Sequence, residues 1–213
     1  MDVSSIGVKE ILPWAALEGR LRKVGIVGSE QIPRKDRGVY KRTLIESEAV
    51  RPEELNLTTE YLVRETVLFQ EKLRERLHKD AGIDTLNLSG LAILETPDGE
   101  VVLAPPIVEQ GKYFLACPQQ IERGCSKLSL PVLIDGGHRA YLGLRNGEEI
   151  LIAKVSGVDE LFQVPIVPNG WNDVMIVDRI PSRQFKKRYL GESFWLYRDL
   201  SALGSKGYRE GGR

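Results

Sequence analysis

"LPVLIDGGHRAYLGLRNG", residues 130–147, changes character at its midpoint. Residues 130–134 form a short apolar run of the kind that fills a buried strand, and residues 140–145 read as a helix with Gly147 as its stop. Asp135, Gly136, Gly137, His138 and Arg139 therefore fall where a strand turns into a helix. Glycines at such a corner permit backbone conformations closed to other residues and let a ligand approach the main chain. The first turn of the following helix offers unpaired N–H groups and the positive end of its dipole, a setting for phosphate. Arg139 can add a fork for phosphate oxygens, and His138 a donor or proton carrier. Asp135 suits a different task there: holding a Mg²⁺ that bridges phosphates, orienting His138, or accepting from a substrate hydroxyl or amine. A structural role is also open, with Asp135 capping the helix and Arg139 pairing nearby.

Around this corner the 213 residues carry 30 basic and 30 acidic side chains. That balance does not mark the whole chain as a binder of nucleic acid or membrane surfaces. No apolar run approaches the roughly 20 residues that span a bilayer. The opening MDVSSIGVKEILPW lacks the basic-then-apolar order of a secretory signal, so a cytoplasmic protein is expected. Cys117 and Cys125 stand eight positions apart, without a C-x-x-C pair. They read as ordinary loop thiols, with a redox pair or a metal site as less supported alternatives.

The strongest helical pattern is LTTEYLVRETVLFQEKLRERLHKDAG. Leu62, Thr66, Phe69, Leu73 and Leu77 recur at spacings of three and four, Thr58 or Thr59 can cap the start, and Gly82 suits the end. Its charged residues fall off that stripe and read as a solvated face. Upstream, EILPWAALEGRLRK can form a short helix with Trp14 on the core, and RKDRGVYKRT reads as a connector. From residue 84 short apolar runs dominate. TLNLSGLAILET and EVVLAPPIV flank Pro97-Asp98-Gly99, a hairpin signal, and GKYFLA, EEILIAKVSG, FQVPIV and DVMIVDRI follow as strand candidates. Strands outnumber helices and do not alternate with them, so the expected class is α+β with a mixed sheet. From residue 179 onward nine Lys and Arg face three Asp and Glu, with aromatics interleaved. Such a segment suits phosphate and base contacts through Arg183, Lys186, Lys187 and Arg188, or else packs its aromatics on the sheet.

The order helix, strand, strand, GGHR corner, helix, strand resembles the ParB/sulfiredoxin superfamily. ParB proteins carry a Gly-x-x-Arg-x-x-Ala box at this corner and bind CTP. Sulfiredoxins carry Gly-Gly-Cys-His-Arg and use ATP. Free serine kinases of the superfamily carry Asp-Gly-x-His-Arg, which Asp135, Gly136, Gly137, His138 and Arg139 match at each fixed position. The resemblance covers about residues 46–157, leaving 1–45 and 158–213 as extensions of a single domain. Gly137 replaces the sulfiredoxin cysteine, and the 56 residues after Gly157 read as strand-rich and then aromatic-basic rather than as the ParB DNA-binding and dimerisation regions, so a full centromere-binding protein is not expected. Those kinases carry a basic-Pro-x-Glu string before their first core helix, with the Glu as catalytic base. Arg51-Pro52-Glu53-Glu54 puts Glu54 at that position, although Glu53 and Glu54 also simply favour a helix start.

The resemblance thus implies a nucleotide-dependent phosphotransferase for a small hydroxyl compound. ATP, ADP or CTP with Mg²⁺ would sit on Gly136, Gly137, His138 and Arg139, with Asp135 on the metal or the acceptor. The alternatives are a non-catalytic ParB-like nucleotide-binding module that meets DNA or a protein partner, and a ParB-like nuclease. None of these readings involves a membrane.

Overall fold

The computed structural model describes residues 3–26, 38–114, 127–164, 166–181 and 197–204. In chain order these hold strand β1 (Gly7–Leu12), helix α1 (Trp14–Leu21), and strands β2 (Gly25–Ile26), β3 (Leu44–Val50), β4 (Asn56–Leu57) and β5 (Tyr61–Val63). Helix α2 (Arg64–Ala81) and strands β6 (Leu91–Thr96), β7 (Gly99–Leu103), β8 (Ile107–Phe114) and β9 (Lys127–Asp135) come next. Helix α3 (Gly137–Asn146) and strands β10 (Ile150–Ser156), β11 (Met175–Val177) and β12 (Arg198–Asp199) complete the series. The result is a mixed α+β fold in a single domain, as the sequence leads one to expect.

Five strands form the central sheet in the order β3-β10-β8-β9-β4. β10 runs antiparallel to β3 and parallel to β8, β8 runs antiparallel to β9, and β4 lies parallel to β9. Alternate residues on these strands face opposite layers. Ile107, Val132, Ile134, Ala153 and Val155 share one core with Leu17 and Leu21 of α1 and with Tyr197 and Leu200. Val108, Leu133, Ile150 and Ile152 share another with Ala140 and Leu142 of α3. Each buried Val, Leu or Ile among these contributes about 1.5–3 kcal/mol by leaving water. A third core joins Leu73 and Leu77 of α2 to the antiparallel sheet β1-β6-β7 through Ile6, Ala92, Leu94 and Leu103. Among the described residues no helix is long and apolar enough to cross a membrane.

The Pro97-Asp98-Gly99 turn joins β6 to β7, with Thr96 opposite Gly99. β6 begins only at Leu91, after Gly90, because the chain there lies against β1. A Cβ on Gly90 would fall 2.1 Å from the Leu12 carbonyl oxygen. The periodicity of residues 58–82 overstates α2. Residues 61–63 are strand instead, paired with β11, and the Met175 N–H donates to the Glu60 carbonyl at 2.9 Å. Neither threonine caps the helix. Thr58 pairs with the Tyr197 hydroxyl, Thr59 donates to the Tyr61 carbonyl, and Val63 occupies the cap position. The far end follows expectation, with Gly82 in the left-handed conformation.

Residues 1–45, read from sequence as one short helix and a connector, also supply β1 and the start of β3. Trp14 begins α1 and packs half-buried against the main core. FQVPIV forms no named strand among its described residues, yet Val164 and Ile166 are buried.

Candidate functional site

β9 ends on Asp135, half-buried, and the chain turns at Gly136 with φ 89°. The turn is locked from behind. A Cβ on Gly136 would approach the Pro106 side chain to 2.7 Å, so this position needs glycine for both angle and space. α3 then starts at Gly137, and the N–H groups of Arg139 and Ala140 both return to the Gly136 carbonyl at 3.0 Å. Just before the turn, the buried Tyr197 hydroxyl donates to the Ile134 carbonyl at 3.1 Å. Burial, as the largest cause, pushes that phenol's pKa well up, so it remains a donor.

His138 reaches sideways. Its Nε2 accepts the Val63 N–H at 3.2 Å, which places the ring proton of the neutral form on Nδ1. Val63 caps α2, so the starting turns of α2 and α3 stand side by side at the corner. A side chain from the first turn of α3 thus reaches the residue that starts α2.

Arg139 goes elsewhere than the sequence suggests. It is only 6% exposed, and its guanidinium donates to the Ala104 carbonyl in the link between β7 and β8. Burial pulls its pKa down while the Asp135 charge pushes it up, and arginine stays protonated under both influences. It acts on the corner through its charge and by fixing α3 to that link. Gripping a ligand is a task its fork does not perform in this arrangement.

Glu54 does not join the corner. It is exposed at the end of a short 3-10 turn whose Pro52 packs beneath α3 near Gly143 and accepts from the Trp171 indole at 2.6 Å. Its cleft, about 210 Å³, is lined by Glu48, Gln110, Pro131 and Lys154. Because β4 lies level with Val132 and Leu133, Glu54 sits near Pro131, four strand residues from Asp135 or about 13 Å.

The structure therefore brings together Asp135, Gly136, Gly137 and His138, sets Arg139 behind them and leaves Glu54 apart. Arg183, Lys186, Lys187 and Arg188, like Cys117 and Cys125, lie outside the described residues. His78 is exposed on α2, and among the described residues no three His, Cys, Asp or Glu side chains gather as a metal cluster. Mg²⁺ bound with a nucleotide needs only one or two carboxylates plus phosphate oxygens, which Asp135 fits.

Sequence reasoning missed Val63, Pro106, Ala104 and Tyr197 as parts of the corner. Only the Pro105-Pro106 pair carried a local signal. A second buried polar group lies in the core around Tyr40 and Tyr197. Arg198 grips Glu109 through Nε and Nη2, the latter at 2.8 Å, and the Tyr40 hydroxyl donates to the same carboxylate. Arg198 also donates to the Phe162 carbonyl at 2.5 Å, which leaves this trio internally satisfied.

Fold and corner together define a mixed α+β protein in which a strand ending on Asp135 turns through Gly136 into helix α3. No family model matches the chain, and neither the curated proteins nor the solved structures contain a significant match to it.

Proposed function

We propose that the chain is a cytoplasmic, nucleotide-dependent phosphotransferase of the ParB/sulfiredoxin kind that acts on a small hydroxyl compound. The observation that carries the reading is the Asp135-Gly136-Gly137 turn at the start of α3, which the His138–Val63 hydrogen bond ties to the start of α2. The order α2, β8, β9, corner, α3, β10 supports the kinship. In this reading the main-chain N–H groups of Gly137 and His138 hold nucleotide phosphate oxygens, with the buried Arg139 charge behind them. Asp135 holds Mg²⁺ or the acceptor hydroxyl. Transfer forms a bond from the acceptor oxygen to phosphorus, breaks the phosphorus–oxygen bond to the leaving nucleotide, and releases the hydroxyl proton to a carboxylate. Asp135 is the carboxylate at the corner, so Glu54→Gln is the variant that separates the two candidate bases.

The test is a thermal-shift panel with ADP, ATP, CTP and GTP, each with Mg²⁺, on wild type and Asp135→Asn. A nucleotide at 100 times its Kd adds about 2.7 kcal/mol of stability. We expect a shift with one nucleotide that shrinks in the variant, followed by phosphate transfer to a hydroxyl acceptor. The absence of any shift at millimolar nucleotide would overturn the reading.

A second reading has one observation in its favour. With Arg139 turned into the core, the corner keeps its donors for binding but loses the fork that would stabilise a transferring phosphoryl group. That suits a ParB-like switch module that binds a nucleotide and then DNA or a protein. A shift with CTP alone, and DNA binding that falls steeply with salt and with loss of Lys186, Lys187 and Arg188, would favour it.

A further inference from the structure

The two edges of the central sheet end differently. At β4 the edge is closed: Leu57 donates its N–H to the Asn169 carbonyl at 2.8 Å and accepts from the Asn169 N–H at 2.9 Å. At the opposite edge β3 pairs with β10 from Leu44 to Val50 without a bulge. The direction of its free groups follows from β10. There the Leu151 N–H donates to the Leu86 carbonyl and the Ala153 N–H to the Pro106 carbonyl, each at 2.8 Å, so both residues face away from β3. Opposite residues of an antiparallel pair either exchange both hydrogen bonds or both face away. Ile45, Ser47 and Ala49, opposite Val155, Ala153 and Leu151, therefore turn their N–H and C=O groups outward. The Thr43 carbonyl, next on that side, is taken by Arg22 at 3.3 Å. Among the described residues nothing meets the outward groups of Ile45, Ser47 and Ala49. Ser47 and Ala49 are exposed and small, so a second backbone can come within bonding distance.

Edges of this kind are usually blunted, as β1 is by the slip in its register at Lys9. β3 carries negative charge instead. Residues 44–54 hold four glutamates against Arg51 alone. Glu46 and Glu48 lie on one face of the strand; Glu48 meets Lys154 at 2.7 Å, while Glu46 is exposed and meets no cation among the described residues. Pairing β3 with that of a second copy, Ser47 opposite Ser47, would set Glu46 against Glu48 twice, and the neighbouring registers would set a glutamate against its own copy. Like charges directly opposite destabilise such a pair. The charges thus disfavour self-pairing and leave the edge to a strand of opposite sign.

We propose that the edge of β3 takes up an extended, basic segment of a partner protein as an added antiparallel strand. Lys or Arg stands opposite Glu46 and Glu48, and apolar residues stand opposite Val50 and Leu44, the latter 57% exposed. The main chain supplies affinity and the alternate side chains specificity. The surface uses none of the corner's residues and does not depend on nucleotide binding there.

The probe is the peptide fluorescein-Val-Thr-Lys-Thr-Lys-Thr-Val-amide, titrated with the full chain and read by anisotropy. Its threonines fall opposite Ile45, Ser47 and Ala49, and its lysines opposite Glu46 and Glu48. It should bind saturably at one site per chain, and the counterpart with glutamates for lysines should bind at least about fivefold more weakly. N-methylation of the central threonine removes the N–H that faces Ser47 and should weaken binding by at least about 3–10-fold. N-methylation of a lysine, whose N–H faces solvent, should change little. Ser47→Pro removes an outward N–H of the chain and leaves the β10 ladder intact, so it should weaken binding as much as the first methylation. Where that variant alters the melting curve, Glu46→Lys serves; it should fold as wild type and lose the preference for the lysine peptide. No binding at millimolar peptide, equal effects of the two methylations, or binding unchanged in both variants would overturn the proposal. So would a wild-type dimer that Ser47→Pro dissociates, since the edge would then belong to a second copy.

Discussion

Two arginines are buried in this fold, and they are buried differently. Arg198 meets a carboxylate along two hydrogen bonds, with a phenol and a carbonyl completing the set. Arg139 meets only the neutral Ala104 carbonyl, and the nearest charge that influences it is Asp135 at the corner. Inside a protein a charge neutralised by its own partner exerts little field beyond it. One held by a carbonyl keeps its field for whatever lies alongside. The contrast is between a clasp and an open charge: the Arg198 group closes the fold, and Arg139 keeps its charge beside Asp135 at the start of α3.

The largest effect should come from opening the clasp. Glu109→Ala leaves Arg198 buried without its counter-charge and should cost about 3–5 kcal/mol in urea unfolding at neutral pH. Replacing both partners by apolar residues, Glu109→Leu with Arg198→Met, should cost less than Glu109→Ala alone. A double variant as damaged as the single would break the distinction, because the stability would then lie in the pair itself and not in the avoidance of a lone charge.

Arg139→Met should cost less, about 1–3 kcal/mol, since only the Ala104 carbonyl is orphaned. Its effect on nucleotide-induced thermal shift should exceed its effect on stability, whereas the Arg198 variants should retain the shift wherever they fold. Equal loss of ligand response in the Arg139 and Arg198 variants would erase the difference between the two arginines.

The smallest effect belongs to a third arginine, half-exposed between α2 and α3. Arg74 forks onto Asp84 at 2.7 and 3.1 Å and onto Glu148 at 2.9 and 2.5 Å. Burial alone would raise the pKa of Asp84. The hydrogen bonds from Arg74, the Leu86 N–H and Asn87 outweigh it, and the value is lowered. For Glu148 the Arg74 bonds are the largest cause, and they lower it too. Carboxyls held below their unfolded values stabilise the fold above pH ~4.5, and that stability is lost as pH falls through the lowered range. Arg74→Met should therefore cost about 1 kcal/mol at pH 7 and flatten the decline of the urea midpoint between pH 5 and pH 3. An unchanged slope would mean the network contributes nothing to acid stability.

What could be read from sequence was local. The apolar run before Asp135, the glycines after it and Gly147 fixed the β9–α3 turn, and Pro97-Asp98-Gly99 marked the hairpin. What could not be read depends on partners far along the chain. Tyr61 to Val63 look helical until Met175 to Val177 arrive beside them. β3 reads as a charged stretch because, at the rim of its sheet, its Glu46 and Glu48 can stay near water. At the candidate site the residue types of the corner were legible but not their directions. His138 turned to Val63 and Arg139 to Ala104 because those backbone groups offered hydrogen bonds, and no spacing within DGGHR encodes where the neighbouring elements fall.

The Glu109–Arg198 contact joins positions 89 residues apart. On a ribosome adding about 5–20 residues per second, the carboxylate emerges several seconds before its arginine exists. During that interval β8 carries an acidic group on a face meant for burial, and the sheet's second layer cannot close around it. The order of synthesis thus defers completion of the main core to its last-made partner, and the nascent chain spends those seconds with one side of its central sheet open to chaperones and to neighbouring chains.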